Sequence, residues 1–210
     1  MKSKKVSLRQ LERYPVYLNF LLSLRNSGID KVSSRQIADM MSCSEEQVRK
    51  DLQLISPKKA LPGRQREVGD LIEYLKNFLG YKKINEAILI GVGHLGSALM
   101  SFRGFGDFGL EIVAGFDIDP ALVNSTLAEK PIYDLGELSR IIFEKNIKIA
   151  ILTTPKSVSQ DIVDKLVSLG IVAIWNFVPM HLDAPKEIVI ENFDFAASLA
   201  ILAHRINQKT

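Results

Sequence analysis

Cysteine is nearly missing from this chain of 210 residues: Cys43 stands alone. One thiol excludes a disulfide within the chain and any cysteine-cluster metal site, so a redox role, if there is one, does not come from thiol pairing. Long apolar runs are missing too. Nothing approaches the roughly 18 to 20 residues of a membrane span, and the Lys-rich start lacks the apolar core of a signal peptide, which predicts a cytoplasmic protein without membrane contact. Histidine occurs three times, and no histidine or lysine stands with an obvious carboxylate partner for proton transfer. A disorder-type composition is also absent: 47% hydrophobic and 24% charged residues belong to an ordinary globular chain.

What is present is unevenly spread. Residues 1–80 carry 15 Lys and Arg against 9 Asp and Glu, a balance of +6, whereas residues 81–210 carry 12 against 15, or −3. The length fits two compact units better than a cofactor domain joined to a full substrate domain. A basic unit beside a mildly acidic one points to a polyanion partner for the first, although a solvated basic face has the same charge.

In the basic part, Val16, Leu18, Leu21, Leu22 and Leu24 form a helical stripe, predicting a helix from Pro15 to about Ser27 that stops at Gly28. Ser33-Ser34-Arg35-Gln36 and Ser44-Glu45-Glu46-Gln47 both have capping-box spacing, each followed by apolar residues at helical intervals. Two short capped helices around a tight turn make a helix-turn-helix, whose second helix can enter a major groove, though such hairpins also simply pack. Ser44, Gln47, Arg49 and Lys50 are the candidates on that helix for base edges or phosphate. The stretch from Ser56 to Arg66 follows, with Lys58, Lys59, Arg64 and Arg66 between turn-forming Pro57, Pro62 and Gly63, and reads as a basic wing. A further helix spans about Val68 to Leu79.

The second part opens on Glu86-Ala87-Ile88-Leu89-Ile90, an apolar run suited to a central parallel strand. Gly91-Val92-Gly93-His94-Leu95-Gly96 follows at once and leads into helical Ser97 to Phe102, which is the dinucleotide fingerprint in its proper setting. The first glycine permits the tight turn, the second lets backbone approach a pyrophosphate, and the third allows close packing of helix on strand. A second strand, Glu111 to Phe116, ends at Asp117, 26 positions beyond Gly91. A carboxylate there binds a ribose 2′-hydroxyl and repels a 2′-phosphate, favouring NAD(H); Asp119 is a rival whose place before Pro120 suits turn initiation. Helices at 134–146 and 157–169 alternate with strands at 148–153, 171–176 and 188–193, predicting a mostly parallel, Rossmann-like sheet. Thr153-Thr154-Pro155 and Asn176-Phe177-Val178-Pro179 then fall at strand C-terminal ends, where ligands bind. The last helix, Phe195 to about Asn207, is apolar around most of its circumference and should be buried, plausibly against another subunit.

Val32-Ser33-Ser34, Gln47-Val48-Arg49-Lys50-Asp51-Leu52, Pro62-Gly63, Gly91-x-Gly93-x-Leu95-Gly96, Gly104-Phe105, Phe116-Asp117-x-Asp119-Pro120, Asn176-Phe177-x-Pro179 and Glu191-Asn192-x-Asp194 together resemble the redox-sensing repressor family Rex over essentially the whole chain. The resemblance implies a homodimer with exchanged C-terminal helices, operator binding when NADH is scarce, and release when NADH binds. It implies cofactor contacts at Gly91, Gly93, His94, Leu95, Gly96, Asp117, Thr153, Thr154 and Pro155, with Phe105, Asp194 and Phe195 near the nicotinamide. The expected organisation is a winged helix-turn-helix domain over 1–80, a Rossmann domain over 81–194 and a dimerisation helix over 195–210. The chain departs from the family at Leu54 to Lys59, where a glycine- and aromatic-rich segment is usual. It also departs at Asn19 and Phe102, where an arginine and a tyrosine usually couple reader and cofactor site. An NAD-dependent oxidoreductase and a constitutive DNA-binding paralogue are the alternatives.

Overall fold

The computed structural model of the chain describes residues 6–56 and 64–208. They fall into two compact units that part between Lys83 and Ile84, three residues past the boundary expected at 80. In the first unit the order is α1 (Leu8–Asn26), β1 (Lys31–Val32), α2 (Ser34–Met41), α3 (Glu45–Ile55), β2 (Arg66–Glu67) and α4 (Val68–Phe78).

Helix α1 begins a full two turns before Pro15. Ser7 accepts from the Gln10 amide while the Gln10 side chain returns to the Ser7 N–H, a capping box that nucleates the helix there. Pro15 therefore lies inside α1, where the lost backbone bond costs about 3 kcal/mol. The added turns offset this by bringing Tyr14 into the core, edge-on to Phe78 at 5.1 Å. At Ser33 the expected box is complete. At Ser44 only half of it forms: the hydroxyl accepts from the Gln47 amide at 3.2 Å, but the Gln47 side chain goes elsewhere. Ser42 takes a left-handed conformation, φ 51°, and turns α2 into α3. The core is built from Tyr14, Tyr17, Leu18, Leu21, Ile37, Val48, Leu52, Leu71 and Leu75. β1 and β2, two residues each, pair antiparallel, with Val32 opposite Arg66.

The second unit contains β3 (Asn85–Ile90), α5 (His94–Ser101), a 3₁₀ turn (Arg103–Phe108), β4 (Leu110–Asp117), β5 (Thr126–Leu127), β6 (Lys130–Asp134), α6 (Leu138–Lys145), β7 (Ile149–Leu152), α7 (Lys156–Ser168), β8 (Ala173–Asn176), β9 (Val189–Asn192) and α8 (Phe195–Asn207). The sheet order is β5-β6-β4-β3-β7-β8-β9, with every pairing parallel except β5 on β6. Setting aside the β5 hairpin, this is the 3-2-1-4-5-6 order of a doubly wound Rossmann sheet, in which β3 and β7 flank the switch point. Ile88, Ile90, Ala150, Leu152 and Phe116 fill one face of the sheet beneath α6 and α7; Ala87, Leu89, Ile151 and Ile112 fill the other beneath α5.

Several expectations need correction. α5 starts at His94, not Ser97, because Gly93 itself serves as the N-cap. Arg103–Phe108, between the expected helix and the next strand, is a 3₁₀ turn closed by Gly109, and the helix expected from Asp134 opens with a 3₁₀ turn, Leu135–Glu137, capped by the Asp134 carboxylate. Lys58 and Lys59, with the rest of 57–63, lie outside the described residues.

Candidate functional site

The glycine turn stands at the switch point. Gly91 leaves β3 with φ +93°, a conformation that only glycine adopts without strain. A Cβ on Gly91 would lie 2.9 Å from the Thr153 carbonyl oxygen, and one on Gly96 would lie 2.1 Å from the Gly91 carbonyl oxygen. Both glycines are required by packing. Gly93 differs: a Cβ there meets nothing within 4 Å, so its backbone faces open space at the start of α5. That is the fit expected for an anion lying against the turn and the helix N-terminus.

Beside the turn opens a cleft of about 660 Å³, whose lining includes Gly91, Gly93, Asp117, Thr153, Thr154 and Pro155. Six of the expected contacts are thus brought together from three strand ends. Asp117 terminates β4, and its carboxylate ties the site together: Oδ2 accepts from the Val92 N–H at 2.6 Å, and Oδ1 from the amides of Ile118 and Asp119 at 2.7 and 3.0 Å. A carboxylate has about four acceptor positions, so one remains on Oδ2 for a hydroxyl donor. Asp119 instead accepts from the Ala121 amide at 2.9 Å and opens the next turn. Thr153 places its hydroxyl 2.7 Å from the Gly91 carbonyl oxygen, and Thr154 pairs with Ser159 at 2.9 Å. The apolar side of the cleft is formed by Ile118, Leu135, Val158 and Ile162.

The other expected contacts lie elsewhere. His94 is exposed on the first turn of α5, Gly96 is buried behind the turn, and Leu95 packs into the core with Phe105 and Trp175. Phe105 and Phe195 belong to one string of rings: Phe102, Phe105, Trp175, Phe177, Phe193 and Phe195 follow one another at centroid distances of 4.8, 5.7, 4.6, 5.4 and 4.8 Å. Neither residue lines the cleft. Asp194 caps α8, its Oδ1 accepting from the amides of Ala196 and Ala197. Buried Asn176 fixes the end of β8: its amide donates to the Val178 carbonyl and to Asn192 Oδ1, and its oxygen accepts from the Val178 amide.

On α3, both outward cations are internally paired. Arg49 is 3.9 Å from Glu45 and Lys50 is 2.8 Å from Glu46, all four side chains exposed by 40% or more. The Lys50 hydrogen bond holds the Glu46 carboxyl below its usual range. Ser44 is spent as the α3 cap. Arg64 is exposed, whereas Arg66 turns inward, its Nε and Nη2 buried with no hydrogen-bond partner among the described residues, and desolvation lowers its pKa. A residue that the sequence reading did not single out is Asp51, buried under α3 and paired with Arg13. Its signal is a carboxylate on the apolar stripe of Val48, Leu52 and Ile55.

Among the described residues no helix is long and apolar enough to cross a membrane, and none form a metal-binding cluster. A protein-family model described as "CoA binding domain" matches residues 82–180, and one described as "Putative DNA-binding protein N-terminus" matches residues 5–53. A redox-sensing transcriptional repressor Rex of Bacteroides thetaiotaomicron is 40% identical over 206 residues, covering 97% of this chain and 92% of that protein. The Rex of Desulforamulus reducens is 36% identical over 209 residues, covering 100% and 99%. Among solved structures, a Rex-family repressor called RSP superposes with a TM-score of 0.86 at 31% identity, covering 99% of this chain and 97% of that one. The RSP complex with beta-NAD+ and operator DNA superposes at 0.89, covering 99% and 95% at 31% identity. Similarity at this level along the whole length, on a fold that joins the same two units, establishes that this chain belongs to the Rex family of redox-sensing transcriptional repressors.

Proposed function

We propose that this chain is a DNA-binding repressor that senses the NADH to NAD+ ratio, binding a pseudo-palindromic operator as a homodimer and releasing it when NADH binds. The observation that carries the reading is Gly93: an open backbone position at the switch point, between two glycines that packing requires and beside a carboxylate with one acceptor position left. Relatives support it, since RSP has been crystallised with beta-NADH and with beta-NAD+ plus operator DNA.

In this reading Gly91, Gly93 and the first turn of α5 hold the pyrophosphate, Asp117 takes the ribose hydroxyl, and Thr153 to Pro155 form the opposite wall. Asp117 would repel a 2′-phosphate, so NADPH is excluded. Phe105 and Phe195 offer an aromatic, weakly polar surface, which suits a neutral reduced ring better than a cationic oxidised one. Gln47, Arg49, Lys50 and Arg64 face the DNA. The homodimer forms through α8. That helix is exposed along its whole length in the single chain, with Phe195, Leu199, Leu202 and Ile206 each more than half exposed. An apolar stripe of this kind requires a partner copy.

The role is that of a binding switch, not an enzyme. His181 lies by Asp183 on the surface and His204 by Gln208 on α8, and neither lines the cleft. A duplex enriched from a random pool, run in a gel shift with NADH, NAD+ or NADPH, tests the proposal. NADH alone should release the DNA. Equal binding in all three would end the sensor reading, and turnover of a hydroxy acid would restore the oxidoreductase alternative.

A further inference from the structure

Asp51 lies on the inward face of α3 with its side chain 2% exposed. A buried carboxylate is tolerated when its lone pairs are filled. Here they are: Oδ1 accepts from Arg13 Nη2 at 2.9 Å and Gln10 Nε2 at 3.2 Å, while Oδ2 accepts from Arg13 Nε at 2.7 Å and the Tyr17 hydroxyl at 2.9 Å. The Tyr14 hydroxyl donates to the Asp51 carbonyl at 3.2 Å. Burial pushes the carboxyl up, but the bonds from Arg13, Gln10 and Tyr17 outweigh it and hold Asp51 below the usual carboxylate range. Through these contacts α1 grips the recognition helix.

The same guanidinium reaches Gln47, one turn before Asp51. Guanidinium nitrogens only donate, so the Gln47 amide must turn its oxygen toward them, which places Oε1 3.0 Å from Nη1 and 3.2 Å from Nη2. This is why Gln47 does not complete the capping box at Ser44. Nε2, a donor, is the half of the amide left for an outside partner. A glutamine that reads adenine needs both halves, accepting from N6 and donating to N7.

We propose that Arg13 is a positioning residue that sets base preference: by holding Gln47 Oε1 it leaves a donor alone, so Gln47 gives up the two-point contact that singles out adenine and favours the acceptor-rich edges, guanine O6 and N7 or thymine O4, over adenine, whose N7 lies beside an amino donor. The inference rests on the reading of this chain as a sequence-specific DNA binder. It is tested by selecting duplexes from a randomised library with the full-length wild-type protein, Gln47→Glu and Arg13→Lys. In Gln47→Glu one carboxylate oxygen stays on Arg13 and the other is offered as an acceptor. One position per half-site should then pass from guanine or thymine to an amino-bearing base, cytosine or adenine, with about a tenfold change in relative affinity and the remaining positions unchanged. In Arg13→Lys the charge is kept and the fork is lost, so adenine should become the preferred base at that same position. If Arg13→Lys fails to fold, the Gln47→Glu profile decides. A profile that Gln47→Glu leaves unchanged, or a wild-type protein already selecting adenine there, overturns the proposal. A wild-type protein that enriches no sequence overturns the DNA-binding reading beneath it.

Discussion

Gly93 and Gly96 are three residues apart in one turn, yet the same substitution should act on them in opposite ways. At Gly96 a methyl group would stand 2.1 Å from the Gly91 carbonyl oxygen and 3.0 Å from Leu89 Cδ2. Gly96→Ala must therefore push α5 off β3, an overpacking that costs about 1–3 kcal/mol or more. At Gly93 the backbone, φ −68° and ψ −164°, is open to alanine, and no atom lies within 4 Å of the new methyl. Its only structural cost is a poorer N-cap, about 1 kcal/mol at most, which lowers Tm by about 3–6 °C in a domain of this size. Cofactor binding should reverse the order. The methyl on Gly93 projects into the space where a pyrophosphate would approach the amides, so NADH affinity should fall at least about tenfold, equivalent to about 1.4 kcal/mol. Trp175, the one tryptophan of the chain, lies in the aromatic string, and its quenching by NADH gives the affinity while thermal unfolding of the same samples gives the stability. Gly93→Ala with wild-type affinity would refute the placement of a dinucleotide on this turn.

Three other outcomes are expected. Burial is the main cause that raises the phenols of Tyr14, to about 12, and of Tyr17, from their usual value near 10. The folded state keeps a proton that the unfolded chain loses, so their contribution is complete below pH 10 and disappears as pH climbs toward 12. Urea melts from pH 9 to 12 should show that loss, and a Tyr14→Phe, Tyr17→Phe double variant with the same slope would count against it. Removing the carboxylates paired with Arg49 and Lys50, as Glu45→Gln with Glu46→Gln, should raise affinity for random duplex and steepen its salt dependence by up to about 0.9 for each phosphate newly contacted; an unchanged slope would show that these cations face no backbone. A chain ending at Asp194 loses a helix that is exposed along its whole length and meets its own core only through Phe195 on Phe177, so sedimentation should find a folded monomer; a persisting dimer would move the interface elsewhere.

The parts of the fold legible in the sequence are those set by local chemistry. Ile88 to Ile90 followed by Gly91, Gly93 and Gly96 announces a strand, a turn and a helix, because periodicity and glycine spacing act within about ten residues. The missed parts depend on contacts that local pattern does not encode. β6 buries only Ile132, and Pro131 looks like a breaker; pairing on β4 makes it a strand. Ala128 and Glu129 adopt positive φ in the β5–β6 turn without the glycine or asparagine that advertises one. Pro15 looks like a helix start because an interior proline is costly, but the Ser7 cap and the burial of Tyr14 outweigh that cost. In the site, Asp117 was legible from its distance to the glycines, whereas the Asp51 and Arg13 pair joins residues 38 positions apart.

A carboxylate serves the fold first, and only its remaining capacity is open to a ligand. Asp51 has all four acceptor positions filled, so it acts through Arg13 and contacts nothing outside. Asp119 gives Oδ1 to the Ala121 amide and starts a turn, as its place before Pro120 predicts. Asp117 spends three positions on the amides of Val92, Ile118 and Asp119, yet those bonds pull the end of β4 onto the glycine turn and aim the position left on Oδ2. Asp194 uses Oδ1 twice as the cap of α8, which leaves Oδ2 without a donor among the described residues. Two carboxylates thus combine a structural duty with an unused acceptor position, and each stands at or just past the end of a strand. At such a residue, ligand occupancy and local structure share one group, so a bond made by the ligand bears directly on the backbone amides held by the same carboxylate.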